Sequence, residues 1–180
     1  MYVIALLNEA IEQVRGLAGV AEIWLEMDAA VSLPPLQADS SLLRRVLVNL
    51  IGNAITYSPA GECVRLSACA DPVMEETLLI GVHDHGPGIP VVDRERIFEK
   101  WGQLESRAAN EKPSSGLGLT FCRLVIEAHG GQVWADESGE EDGAGSVFYI
   151  RLPLQSMALP NEPGTPPASG HPATRDESPD

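Results

Sequence analysis

Positive charge is scarce in this chain: twelve Lys and Arg stand against twenty-six Asp and Glu, a formal net charge of −14. Neutralising a nucleic-acid backbone needs clustered cations, so nucleic acid is excluded as a partner. Any bound anion must then be held by a metal ion and backbone N–H groups more than by a basic surface. Cysteine is scarce too. Cys63, Cys69 and Cys122 are odd in number and lack C-x-x-C spacing, which argues against a disulfide framework or a zinc site and favours a reducing compartment. Each reads as a small buried apolar residue. No apolar run approaches the ~20 residues needed to span a bilayer, and no basic region, hydrophobic stretch and cleavage site open the chain. A cytoplasmic chain without membrane contact is expected. There is no G-x-x-x-x-G-K-[ST], no solenoid-length repeat, and no G-x-G-x-x-G directly after a strand, because Phe121 stands at the third glycine position after Gly116 and Gly118.

What is present reads as one domain with a tail, since 180 residues at 44% hydrophobic suffice for a single core. Apolar residues from Val3 to Leu17 recur at helical spacing and predict a first helix. Residues 22–27 read as a strand, and a second strand fragment is expected around Leu36, Gln37 and Ala38. Asp39, Ser40 and Ser41 offer an N-cap to a long helix with Leu42, Leu43, Val46, Leu47, Leu50, Ile51 and Ala54 on its apolar face, ending at Tyr57 and Ser58 before Pro59. Residues 63–68 and 77–82 read as a hairpin. A short helix is expected near 93–100, a third long helix over 117–129 ended by Gly130 and Gly131, and strands over 132–135 and 146–152. Residues 103–115 have no period. From Gln155 onward six prolines interrupt small polar residues, so 155–180 is expected to be a disordered tail beside a folded unit over 1–154.

Three places carry chemistry. Arg45, Asn49 and Asn53, four residues apart, form one polar stripe on the long helix, although either Asn alone would pass for a solvated surface residue. Asp84 ends an apolar strand ahead of Gly86 and Gly88. Alone it reads as an ordinary turn aspartate, and the glycines let the backbone turn tightly without a Cβ in the way. Gly116, Leu117, Gly118 and Leu119 open a helix, whose first N–H groups and dipole favour phosphates. His83 and His85 read as structural or surface residues.

These elements fall in a fixed order: residues 49–54, the D-x-G-x-G of Asp84 to Gly88, then 96–101, 116–119 and 143–148. Together they resemble the ATP-binding catalytic domain of sensor histidine kinases, within the superfamily that includes gyrase, Hsp90 and MutL, over residues 2–154. The resemblance implies an α/β (α+β) two-layer sandwich of the Bergerat type, with a mixed sheet of about five strands covered on one face by three helices. It implies ATP and Mg²⁺ as ligands. Asn49 and Asn53 become the catalytic pair, with Asn53 on the metal, since an amide oxygen suits a hard cation. Asn49 stands where hydrolytic relatives carry a glutamate, and an amide cannot act as general base, so transfer is favoured over hydrolysis. Asp84 would bind adenine. Tyr57, Gly86, Gly88, Ile89, Gly116, Leu117, Gly118, Leu119 and Ser146 would complete the nucleotide site, and Arg107 and Lys112 would contact phosphates from a mobile lid over 103–115. Phe98 and Trp101 would couple that lid to an acceptor domain, unless they are simply core aromatics.

The pattern departs from the family at Thr56 and Gln103, where a lysine and an arginine are usual; each costs a phosphate contact. The phosphoacceptor is missing as well: His83, His85, His129 and His171 do not sit on an upstream helical hairpin. The resemblance therefore implies the catalytic part of a longer kinase, itself free to be membrane-anchored, with the first helix as the join. Its partners would be a histidine-bearing dimerisation domain and, indirectly, a response regulator. Two other readings stay open: a stand-alone serine kinase of the anti-sigma-factor type, and a nucleotide-binding module without transfer activity.

Overall fold

A computed structural model describes residues 2–30, 33–99, 117–137 and 145–154. Its elements are α1 (Val3–Ala21), β1 (Trp24–Ala29), α2 (Ser40–Tyr57), β2 (Cys63–Ala70), β3 (Thr77–His83), α3 (Gly118–Ala128), β4 (Gln132–Glu137) and β5 (Ser146–Pro153). The strands form one sheet in the order β1-β2-β3-β5-β4. Only β1 and β2 are parallel, joined through α2, so the sheet is mixed as expected.

Period-two alternation decides which face is covered. In β2, Val64, Leu66 and Ala68 are buried while Cys63, Arg65 and Ser67 are only half-buried, and β3 buries Leu78, Ile80 and Val82, with Val82 opposite Leu66 and Ile80 opposite Ala68. The inward residues join Leu7 and Val14 of α1, Leu47, Leu50, Ile51 and Ile55 of α2, and Ile126 of α3 in one core. The three helices thus lie on one face. The other face carries Ser67, His83, Tyr149 and Trp134, with His83 edge-on to Tyr149 at 6.1 Å and Ser67 Oγ 3.0 Å from His83 Nε2.

Local signals explain the ends of the elements. Asp39 Oδ1 accepts from the N–H groups of Ser41 (2.8 Å) and Leu42 (3.0 Å), the expected cap of α2, worth about 1 kcal/mol. The Asp39 N–H donates to His129 Nε2 at 3.2 Å, while His129 Nδ1 lies 2.7 Å from the Val125 carbonyl. The tautomer protonated at Nδ1 satisfies both and fastens the end of α3 to the start of α2.

Several expectations need correction. Leu36 is buried, yet residues 36–38 form no strand; Pro34 and Pro35 just before them cannot donate to a ladder, and the Asp39 N–H just after them donates to His129. The strand after α1 begins at Trp24, because Glu22 ends that helix in a left-handed conformation (φ 58°). The short helix near 93–100 is two separate 3₁₀ turns, Val91–Asp93 and Arg96–Phe98. A single regular helix would not let the chain leave Val91 and Val92 in solvent and then bury both Ile97 and Phe98. Leu17 and Leu42 are exposed at the margins of their helix faces. Cys122 is buried as expected, whereas Cys63 is half-buried and Cys69 exposed. The lid and the tail over 155–180 lie outside the described residues, as do Trp101 and Gln103.

The end of the sheet away from Asp84 is held by a half-buried ion pair. The Asp71 side chain is fully enclosed, bonds the Val73 and Met74 N–H groups through Oδ1 and pairs with Arg151 through Oδ2, and Arg151 lies 4.9 Å over the Trp134 ring. The Val73 N–H, and then the Arg151 guanidinium, hold the Asp71 carboxyl below the usual carboxylate range against the opposing effect of burial. A pKa lowered in the folded state stabilises above the unfolded value of about 3.9, and that contribution is lost as pH falls through the folded value. Asp71→Asn should therefore melt below the wild type at pH 7, with the gap closing as the pH drops below about 4. A gap independent of pH in thermal melts would refute this account of the pair.

Candidate functional site

The site is built along α2. Asn49, Asn53 and Tyr57 recur every four residues, so they lie on one side of the helix, beside the row that enters the core. One end of this line is at Tyr57. A Cβ added at Gly86 would meet the Tyr57 carbonyl oxygen at 3.0 Å, so this close approach of the strand-end loop to the helix requires glycine. Asp84, 4% exposed, sits at the same corner: its Oδ1 accepts from the N–H groups of Gly86 (2.8 Å) and Ser146 (3.1 Å), and its own N–H donates to the Ser146 carbonyl (2.9 Å). Gly145 completes the corner. It holds φ +113°, and a Cβ there would overlap the Asp84 carbonyl oxygen, so no other residue fits without moving the strand end. Gly88 lies across it, the place of its missing Cβ 3.6 Å from the Gly145 carbonyl oxygen.

The other end of the stripe lies under the start of α3. The place of a Cβ on Gly118 is 3.8 Å from Asn49 Cγ, so the helix N-terminus rests on Asn49. The N-cap residue Leu117 gives α3 no side-chain cap. The first amides of a helix have no intrahelical partners, and with the dipole they favour an anion. Cys122, one turn further in, reaches the Val46 carbonyl at 3.7 Å; burial pushes its thiol up to about 12, against a hydrogen bond from Asn49. It stays a protonated thiol at neutral pH and is no nucleophile.

The structure therefore brings together Asp84, Gly86, Gly88, Ser146 and the Tyr57 backbone at one end, and Asn49 with Gly118 at the other, with Asn53 between them on the helix. Along the helix axis the eight steps from Asn49 to Tyr57 span about 12 Å, a length suited to a nucleotide laid beside the helix with its base at one end and its phosphates at the other. Arg107, Lys112 and Gly116 lie outside the described residues. Arg45 does not face the site: its guanidinium stacks 4.4 Å over the Phe121 ring. Phe98 is a buried core aromatic, edge-to-face with Phe148 at 6.2 Å. His85 is structural, its Nδ1 2.8 Å from the Cys63 carbonyl and its N–H donating to Ser58 Oγ at 3.2 Å. Sequence reasoning missed the Cys122 contact to Asn49 and the steric role of Gly145, since both depend on packing between elements distant in the chain.

The residues present fit Mg²⁺ in a particular way. Among the described residues no group of three His, Cys, Asp or Glu could hold a metal by itself. Mg²⁺ needs no such cage, being held by one or two protein oxygens together with phosphates and water. The Asn53 amide oxygen suits that donor set. Among the described residues, no helix is long and apolar enough to cross a membrane.

Residues 38–156 match the family model described as histidine kinase-, DNA gyrase B-, and HSP90-like ATPase, which leaves α1 and β1 outside the matched region. The chain is 34% identical over 154 residues to the adaptive-response sensory kinase SasA of Rippkaea orientalis, covering 86% of this chain and 38% of that protein. It is 36% identical over 151 residues to SasA of Thermosynechococcus vestitus, at 84% and 38% coverage. The chain thus spans well under half the length of these curated relatives. Among solved structures it resembles full-length ShkA in complex with AMPPNP (TM-score 0.72, 31% identity, 89% of this chain and 32% of that one). It also resembles the mycobacterial sensor histidine kinase MprB (TM-score 0.70, 29% identity, 86% and 95%).

Proposed function

Because this chain belongs to the family of histidine kinase-, DNA gyrase B- and HSP90-like ATPases, we propose that it is the catalytic part of a sensor histidine kinase. It binds Mg²⁺-ATP and transfers the γ-phosphoryl group to a histidine on a separate dimerisation domain, which then serves a response regulator. The observation that carries this reading is the Asn49–Asn53–Tyr57 line, running from the uncapped start of α3 to the Asp84 corner. Asp84 accepts from the adenine amine, Gly86, Gly88 and Ile89 line the base, and the amides of Leu117, Gly118 and Leu119 hold phosphate oxygens. Asn53 would hold Mg²⁺, which supplies charge neutralisation at the phosphates when bound.

Asn49 supplies no general base, so water in the site is not activated. In the transfer step the bond from the γ-phosphorus to the β–γ bridging oxygen breaks and a bond to an imidazole nitrogen of the acceptor forms, with ADP leaving. The domain contributes positioning and charge stabilisation, and the acceptor domain brings the nucleophile and the group that takes its proton.

The purified chain should bind Mg²⁺-ATP, hydrolyse it slowly and fail to label itself with γ-³²P-ATP. Adding the matching dimerisation domain should give a phosphoprotein labile in acid and stable in base. Self-labelling, or an acid-stable phosphoserine on an added partner, overturns the histidine assignment in favour of a serine kinase. Nucleotide binding with no transfer to any partner would favour a binding module.

A further inference from the structure

One cation outside the nucleotide site is placed to shape it. Arg94 follows the first 3₁₀ turn, and its guanidinium, with the side chain only 17% exposed, holds three acceptors at once. Nε donates to the Ile89 carbonyl (3.2 Å), Nη1 to Asp136 Oδ1 (2.6 Å) and Nη2 to Glu137 Oε1 (2.7 Å). Asp136 also accepts from the Glu137 N–H at 2.9 Å, which fixes the acidic pair at the end of β4. Those two residues lie in register with Val147 and Ser146 of β5, and the Ser146 N–H holds the Asp84 carboxylate. Arg94 thus closes a loop of contacts in which the strand end bearing Asp84 and the segment bearing Gly88 and Ile89 share one anchor. A lysine could pair with the acids but has no fork to reach the Ile89 carbonyl as well.

We propose that Arg94 is a positioning residue for base recognition: it holds the Ile89 backbone against the Asp84 corner and so sets the width and selectivity of the purine end of the site. This rests on the nucleotide-binding reading above. A structural clamp alone would change melting, whereas a positioning residue must also change which base is preferred.

The test uses the full chain, with ATP and GTP affinities measured by competition against a fluorescent ATP analogue and melting followed in parallel. R94A should weaken ATP binding roughly ten- to a hundredfold, the scale of a misplaced contact, and should weaken GTP binding less, so that the ATP-over-GTP preference shrinks. R94K should fall between R94A and the wild type. The double variant D136N/E137Q, altered only at exposed positions, should shift affinity in the same direction and serves if R94A does not fold. Unchanged ATP affinity and selectivity in these variants, whatever their melting, overturns the proposal while leaving the parent reading intact. Failure of the wild type to bind ATP overturns both.

Discussion

Asp84→Asn should lose most of its affinity for ATP while keeping its fold. The Asp84 Oδ1 is committed to the N–H groups of Gly86 and Ser146, so an asparagine must keep its carbonyl on them and place its NH₂ where Oδ2 was. That turns a donor towards the donor amine of adenine. Loss of the charge and the mismatch together should cost about 1–3 kcal/mol or more, about ten- to a hundredfold in Kd. The retained carbonyl predicts a melting temperature near that of the wild type. Asp84→Ala should be worse on both counts, because it leaves two buried amides without their acceptor. A fluorescent nucleotide titration in which Asp84→Asn matches the wild type would remove the adenine assignment.

The second large effect concerns the phosphate end. Asn53→Ala should abolish the Mg²⁺ dependence of nucleotide binding and lower transfer in trans by about 10²–10³-fold, the scale seen when one electrostatic contact to developing charge is removed. Folding should be untouched, since Asn53 is half-buried and alanine is the better helix former. Asn49→Ala should instead leave the Mg²⁺ dependence and weaken transfer, because Asn49 lies against Gly118 rather than further along the stripe. Survival of Mg²⁺-dependent binding and transfer in Asn53→Ala sinks the metal assignment.

Legibility in the sequence followed the range of the forces involved. The cap at Asp39, the apolar row of α2 and the alternation of β2 and β3 are set within a few residues, and each was readable from spacing. The order of the polar elements pointed to the site, because each sits at a strand end or a helix start where local chemistry marks it. What escaped was decided across the chain. The segment expected as a strand at Leu36 instead runs into an Asp39 whose N–H is bound by a histidine ninety residues away, and the Arg94 fork reaches acids 42 and 43 residues further along the chain. The stacking of Arg45 on Phe121 is a similar case: spacing put Arg45 in the polar stripe, but only the seating of α3 on α2 shows where its guanidinium goes.

The stripe on α2 also works as a ruler. Both ends of the site are read off one rigid helix, so their separation is set by a rise of about 1.5 Å per residue and not by loops that could stretch. Inserting a single residue between Asn49 and Tyr57 would turn everything beyond it by about 100°, carrying Tyr57 off its face and driving a polar residue into the row that includes Leu50 and Ile51. Substitutions along this helix can be graded, but changes in its length cannot. Drift in chain length should therefore collect outside this segment, and a homologue whose count between these two positions differs would have to build its site in another way.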